Sequence, residues 1–331
     1  MSYLHRYAKH SQGELDTLRE RIEGLLALPK KELTRQLPQL RALMSEYSRL
    51  IRSTMDLTVF HIILVSTSAG KDSQAMLEVI VQMALEQGVA NRIRPVHCDL
   101  GYVEWEGTRE LAVEQCRRYN LGLDIVSRPK GDLLHHVEHE RKMWPSPVNR
   151  YCTSDHKRDQ VEKVITKRVN RYIDLNYMPK YETVKVLSCM GLRAQESSAR
   201  SKKIPWGVNK RASNGKRDVF DWLPIHDWTE AQVWALIREK GLPYHKAYDL
   251  GMPRLSCVFC IYAPPEALLL AGYHNPEKLK EYVRVEQAIG HAFQYDSATK
   301  QHMPLVNIQR QLEAGYVPQG VIDGAKWLEC A

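Results

Sequence analysis

No run of eighteen or more apolar residues occurs in the 331-residue chain, so nothing in it reads as a membrane-spanning helix. The opening residues Met1-Ser2-Tyr3-Leu4-His5-Arg6 lack the apolar stretch of a secretory signal. Both absences lead us to expect a cytoplasmic protein with no membrane partner. Disulfides are then disfavoured, and the 7 cysteines read as free thiols, metal ligands or catalytic groups. Acidic residues are in short supply: 39 Asp and Glu against 47 Lys and Arg leave a net charge of +8, which permits a polyanionic partner without proving one. The Walker pattern G-x-x-x-x-G-K-[ST] is also missing. Val65 and Asp72 stand where it needs a glycine and a hydroxyl residue, which disfavours a P-loop ATPase.

What is there points to a nucleotide-sized anion site. At 44% hydrophobic content the chain can bury a full core, read as one large α/β domain over 56–262 with a helical extension at 1–55 and a helical region at 263–331. The run Ile62-Ile63-Leu64-Val65-Ser66-Thr67-Ser68-Ala69-Gly70-Lys71-Asp72-Ser73 is a buried strand breaking into a small-residue turn, followed by an amphipathic segment over 74–87. Ser66, Ser68, Ala69 and Gly70 let backbone amides approach an anion, the helix dipole adds its positive end, and Lys71 supplies a compact charge. Lys71 and Asp72 are expected to face solvent there.

Leucines at helical spacing over 13–52 predict a helical pair, with packing against the sheet as its default role. Strands are predicted at 93–99 and 121–127 with a helix over 108–119 between them. This alternation predicts a doubly wound parallel sheet with its ligand beyond the strand C-termini, where Asp99 stands. His135, His136 and His139 suggest a metal by spacing, but no third ligand accompanies them, and a solvated polar face is the preferred reading. Ser154 or Asp155 is a natural N-cap, which would place Cys152 just before a helix N-terminus, where thiolate character is favoured. After the strand predicted at 183–190, Arg193 and Arg200 can grip phosphate or sulfate oxygens bidentately, with Glu196 holding one of them. Residues 193–217 hold eight basic residues and one acidic one and read as a mobile loop beside the active edge. Cys257 and Cys260 have the C-x-x-C spacing of a zinc or iron–sulfur site, which needs distant ligands such as Cys152 or Cys189. Cys98, Cys116 and Cys189 read as buried small hydrophobes.

The ordered motifs resemble the PAPS-reductase-like branch of the adenine nucleotide α-hydrolase, or PP-loop ATP pyrophosphatase, superfamily. They are Ser68-Ala69-Gly70-Lys71-Asp72-Ser73, Asp99-Leu100-Gly101, Arg150-Tyr151-Cys152-Thr153, Gly191 to Arg200, Pro224-Ile225-His226-Asp227-Trp228, and Tyr248 to Arg254 followed by the C-x-x-C pair. Ala69 replaces the first glycine of the S-G-G-x-D-S signature, a mild departure unless that position needs a positive φ. The resemblance implies a phosphate- and nucleotide-binding set of Ser66, Ser68, Ala69, Gly70, Lys71, Asp72, Ser73, Asp99 and Gly191. It further implies catalytic roles for Lys71, Asp72, Cys152, Arg193 and Arg200, and ATP with Mg²⁺ held through Asp72 or Asp99. Three activities are open within the branch. Reductases of phosphoadenosine phosphosulfate (PAPS) or adenosine phosphosulfate carry an E-C-G-[IL]-H motif, of which Glu329-Cys330 matches only the start. DNA phosphorothioation enzymes activate a backbone phosphate for sulfur insertion, and tRNA-thiolation enzymes adenylate a base oxygen. The basic stretch favours nucleic acid, with Lys202, Lys203, Lys210, Arg211, Lys216 and Arg217 along a DNA backbone. A cysteine desulfurase as sulfur donor and other subunits of a modification complex are the implied partners. Cys152, Cys257 and Cys260 are the candidate sulfur carriers or cluster ligands.

Overall fold

The computed structural model describes residues 12–176, 182–296 and 300–318. Its centre is a six-stranded sheet in the order β3-β2-β1-β4-β6-β5. β1 (Ile62–Thr67) pairs in parallel with β2 (Ile93–Cys98) on one side and with β4 (Val184–Met190) on the other. β3 (Asp124–Val126) extends the sheet beyond β2, and β6 (Arg217–Trp222) lies parallel to β4. β5 (Trp206–Val208) closes the edge antiparallel to β6. This is the doubly wound α/β architecture expected from the strand–helix alternation, with one strand reversed.

Strand alternation sends side chains into two cores. Ile63, Val65, Leu187 and Cys189 face one cluster together with α1 (Gln12–Leu26), α3 (Leu37–Thr54), α4 (Lys71–Glu86) and α10 (Glu230–Lys240). Ile62, Leu64, Val184 and Val186 face α8 (Asp159–Asn176) through its Val164, Ile165 and Val169. The N-terminal leucines therefore cover a sheet face. They do so as three helices rather than a pair, because a short α2 (Lys30–Arg35) intervenes and Pro38 opens α3, a position where its missing N–H costs nothing.

A third cluster, beside the sheet, gathers the segment after β2, the turns α6 (Leu133–His135) and α7 (Tyr151–Thr153), and the helices α11 (Pro265–His274), α12 (Pro276–Ile289) and α13 (Leu305–Glu313). Cys152 and Cys257 pack at its margin. α5 (Thr108–Arg117) follows β2, and the four-residue α9 (Ser198–Ser201) follows β4. A two-stranded ribbon, β7 (Gln294–Asp296) with β8 (Gln301–Met303), precedes α13. Glu329 and Cys330 lie outside the described residues.

The basic stretch is folded, not a mobile loop. Trp206 pairs with Trp222, the last residue of β6, while Val208 pairs with Phe220, so β5 carries the chain away from the strand C-termini. Arg217 then pairs with Val184, the first residue of β4. Lys210, Arg211, Lys216 and Arg217 thus lie at the N-terminal edge of the sheet, across its length from Asp99 and Gly191. Arg211 is bound by Asp159 at 2.7 Å and Glu162 at 3.1 Å, and the buried Arg217 donates to the Ala212 carbonyl and to Thr166. Only Lys202 and Lys203 of the six remain at the active edge.

Candidate active site

The chain runs from β1 to β2 and β3 on one side, then returns to β4 on the other, so the strand order reverses between β1 and β4. A crevice at the strand C-termini there is where doubly wound sheets bind ligands. Two segments meet at this point. The β1–α4 loop turns through Ala69, whose φ of 59° is left-handed, into the N-cap Gly70. Gly70 has no side chain and so caps none of the first-turn amides of α4, of which that of Lys71 is taken by the Tyr248 hydroxyl. From the β4 side, Gly191 runs against that same turn. A Cβ on Gly191 would lie 2.8 Å from the Asp72 carbonyl oxygen and 3.1 Å from the Ser73 Cα, so only glycine permits the approach.

Ser73 shapes the loop: its hydroxyl donates to the Gly70 carbonyl at 2.9 Å and accepts from the Ser68 amide at 3.1 Å. Lys71 departs from expectation. Its side chain is 2% exposed, with Nζ donating to the Pro253 carbonyl at 3.1 Å, 3.2 Å from Glu230 and over the Tyr248 ring at 5.1 Å. The Lys71 amide donates to the Tyr248 hydroxyl at 3.0 Å. Neither Lys71 nor Asp72 stands free in solvent, because the first turn of α4 is overlaid by the Tyr248 to Arg254 segment and by the N-terminus of α10.

Asp72 accepts from Arg193 Nε at 2.5 Å, and Arg193 is 3% exposed, its Nη1 held by Gln195 at 2.9 Å. Arg193 is therefore a clamp between the exit of β4 and α4, with its guanidinium engaged by protein groups and not open to an oxyanion as expected. Glu196 binds Arg200 closely and lies 3.6 Å from Arg254, while also accepting from the Arg193 amide at 2.8 Å. Arg200 and Arg254 keep partly exposed side chains, and Lys202 and Lys203 follow in the chain. The sequence reading named Arg254 only as part of a motif. Glu230, Tyr248 and Pro253 carried no site role in it, since their contacts with Lys71 span well over 100 residues. Asp99, at the end of β2, accepts from the Gly101 amide at 2.8 Å and keeps Oδ2 3.6 Å from the exposed Arg109.

The cysteine expectations change more. Arg150, not Ser154 or Asp155, is the N-cap, and α7 passes through a wider π-type turn over Ser154–Arg158 into α8. Cys152 sits inside the helical turn instead of ahead of it, and burial raises its thiol above the ordinary value. Burial likewise pushes Cys257 up to about 12 and Cys98 up to about 11, so these groups are neutral thiols near pH 7. The C-x-x-C loop is laid along the segment after β2 by Val258, whose amide donates to the Val103 carbonyl at 2.8 Å. Cys152, Cys257 and Cys260 lie within electrostatic reach of one another, and Cys152 and Cys257 of Lys157. Among the described residues, however, no three His, Cys, Asp or Glu side chains converge closely enough to hold a metal ion. The arrangement does not supply the ligand set expected of a zinc or iron–sulfur centre. Cys116 and Cys189 are fully buried, and Cys98 is partly exposed, with its thiol 3.6 Å from the Lys157 carbonyl.

His136 is also unlike its expectation. It is 2% exposed, and its Nδ1 lies 2.9 Å from Nε2 of the buried His156. His135 and His139 do face solvent, their ring centroids 4.6 Å apart.

A mostly parallel sheet with a glycine-led helix N-terminus and clustered arginines at its switch point defines a doubly wound α/β protein. The profile of the phosphoadenosine phosphosulfate reductase domain matches residues 62–263, and the chain belongs to that family. It is similar to a 37.8 kDa protein of Escherichia phage 186, 26% identical over 186 residues, or 54% of this chain and 51% of that one. A phosphoadenosine 5'-phosphosulfate reductase of Vibrio cholerae is 27% identical over 237 residues, 70% of this chain and 80% of that one. The chain spans about half the length of the phage relative, and 36% of a protein of Methanocaldococcus jannaschii that is 29% identical over 201 residues. Among solved structures, a phosphoadenylyl-sulfate reductase of Candida auris aligns with a TM-score of 0.40 at 20% identity, covering 70% of this chain and 96% of that one. No helix among the described residues is long and apolar enough to cross a membrane.

Proposed function

We propose that the chain is an ATP pyrophosphatase that adenylates an oxygen of nucleic acid, the DNA backbone phosphate by preference, to prepare it for sulfur insertion. One observation carries the reading: at the switch point the N-terminus of α4, led by the side-chain-free Gly70, is joined through Asp72 and Arg193 to Glu196, which gathers Arg200 and Arg254, with Lys202 and Lys203 following in the chain. A polyphosphate fits the helix N-terminus, and a second phosphate-bearing molecule fits the arginine side. The acceptor oxygen attacks the α-phosphorus of ATP, the bond to the β-phosphate oxygen breaks, and pyrophosphate leaves. A persulfide sulfur, delivered by a partner such as a cysteine desulfurase, then attacks the activated phosphorus and displaces AMP, and a thiol reductant cleaves the resulting S–S bond, forming a disulfide and leaving the phosphorothioate. The loop amides hold charge on the leaving pyrophosphate and Arg200 grips the acceptor phosphate, while Lys71, locked between Glu230 and Pro253, fixes the turn that presents those amides. Mg²⁺, bound by the phosphates, would neutralise their charge, and Asp99 is the better placed of the two expected carboxylates because Asp72 is taken by Arg193.

Purified protein incubated with ATP and DNA is expected to yield AMP and pyrophosphate, with Arg200→Lys losing about ten-fold or more because an ammonium lacks the planar fork. ATP that is returned intact, or cleaved to ADP, overturns the reading. The likeness to the Vibrio cholerae reductase favours one second reading, reduction of an adenylyl sulfate. Sulfite release from that substrate with a dithiol reductant, without ATP cleavage, would establish it instead.

A further inference from the structure

Tyr262 stands two residues beyond the C-x-x-C pair on a turn that is held unusually firmly for a surface position. The Ala263 amide donates to the Cys260 carbonyl at 2.8 Å, closing a four-residue turn. Gln294 of β7 then ties the turn down, donating to the Ile261 carbonyl at 2.9 Å and to the Ala263 carbonyl at 3.0 Å. The ring carried by this turn stays 50% exposed and takes no part in the neighbouring apolar cluster, where Tyr151 and Tyr282 are buried. Arg150 lies over it with Cζ 5.3 Å from the ring centroid, and among the described residues this is its one ring contact. Arg150 is fixed in turn, as the N-cap of α7 and through a 3.3 Å hydrogen bond from Nη2 to Thr153 Oγ1. The pair therefore bridges the two cysteine segments: Arg150 is two residues before Cys152, and Tyr262 two residues after Cys260.

A pre-ordered, half-exposed aromatic ring with a guanidinium on one face and no packing duty is suited to a planar π ligand. Bases of unpaired nucleic acid stack on such rings with little regard to sequence, and arginine strengthens the contact while meeting the backbone charge. Lys157, exposed and within electrostatic reach of Cys152 and Cys257, adds a positive charge near the two cysteine segments. Resting on the nucleic-acid reading above, we propose that Tyr262 and Arg150 form a stacking platform for one unpaired base of the acceptor strand, which fixes the register of that strand beside the cysteine segments.

The test uses the full chain and a single-stranded oligonucleotide carrying one 2-aminopurine, titrated by anisotropy and by fluorescence at two salt concentrations. Wild type is expected to bind with quenching of the 2-aminopurine. Tyr262→Leu should weaken binding roughly ten-fold or more and abolish the quenching, with the salt slope unchanged, because stacking releases no counterions. Tyr262→Trp should retain both affinity and quenching. An oligonucleotide with an abasic position should bind wild type as weakly as the intact strand binds Tyr262→Leu, and should lose nothing further with that variant. This arm does not depend on the variant alone, since it first measures the wild-type protein. Wild-type binding with Tyr262→Leu at equal affinity and equal quenching overturns the platform and leaves the nucleic-acid reading standing. Absence of wild-type binding at low salt removes both.

Discussion

Ala69 shows how a departure from a signature is absorbed at one residue. Its φ of 59° is a conformation that costs an alanine roughly 1–2 kcal/mol, which glycine would avoid. Against this, Ala69 is fully buried beside Leu111 and Ala112, so its methyl recovers about 0.8 kcal/mol, and alanine restricts the unfolded chain by about 0.4–1 kcal/mol more than glycine does. The terms nearly cancel. Ala69→Gly is expected to move unfolding stability by less than about 1 kcal/mol in a urea titration, whereas Ala69→Val, β-branched at positive φ, should lose more than about 2 kcal/mol. Equal midpoints for glycine and valine would show that the turn relaxes out of the left-handed region. The sequence made the loop legible because small residues between a strand and a helix have few uses. It did not show that Lys71 is buried, since Glu230 and Pro253 are distant in the chain and only folding brings them to its ammonium.

Among the elements, the Pro224 to Trp228 motif fastens α3 to the active edge. Arg52 of α3 donates to both carboxylate oxygens of Asp227, at 2.7 and 3.0 Å, and to the Pro224 carbonyl at 2.6 Å. Asp227 is nearly buried, so Asp227→Asn should cost about 2 kcal/mol of stability, read as a lowered denaturation midpoint. A change below about 0.5 kcal/mol would mean that the ion pair is dispensable. The helical turns around α6 and α7 carry a different signature. Arg141 Nε donates to His136 Nε2 at 3.2 Å, leaving His136 Nδ1 to donate to His156 Nε2. Burial, followed by the neighbouring His136, lowers His156 from 6.5 to about 4. Because the unfolded state binds the proton more readily, this histidine's contribution is complete above about pH 6.5 and is lost as pH falls towards 4. A series of unfolding midpoints should therefore decline across that window, and His156→Gln should flatten the decline; an identical slope in the variant rejects the assignment. From sequence His136 reads as solvated along with His135 and His139, because spacing says nothing about which helical face meets α7. In the same way, capping preferences do not reveal that the helix begins at Arg150 and runs on through the wider turn after Thr153, which places Cys152 within the first turn instead of ahead of it.

Across the whole molecule, the parallel sheet and its ligand edge were readable because buried strands and intervening helices leave strong periodic patterns. The distribution of charge was not readable, since it depends on which way one three-residue strand runs. Read as a continuous loop, residues 193–217 placed all six basic side chains beside the active edge. Antiparallel β5 instead divides them, leaving Lys202 and Lys203 near Arg200 and sending Lys210 and Lys216 to the other end of β6. A backbone-tracking role can then be assigned by position. If DNA lies along the active edge, Lys202→Gln with Lys203→Gln should reduce the dependence of log Kd on log salt by up to roughly 2, because each lost phosphate contact removes about 0.9 from the slope. Lys210→Gln with Lys216→Gln removes the same charge from the opposite edge and should leave both slope and affinity nearly unchanged. The paired design holds net charge constant between the two variants, so a general electrostatic attraction would weaken both alike, and that outcome would move the DNA path off the active edge.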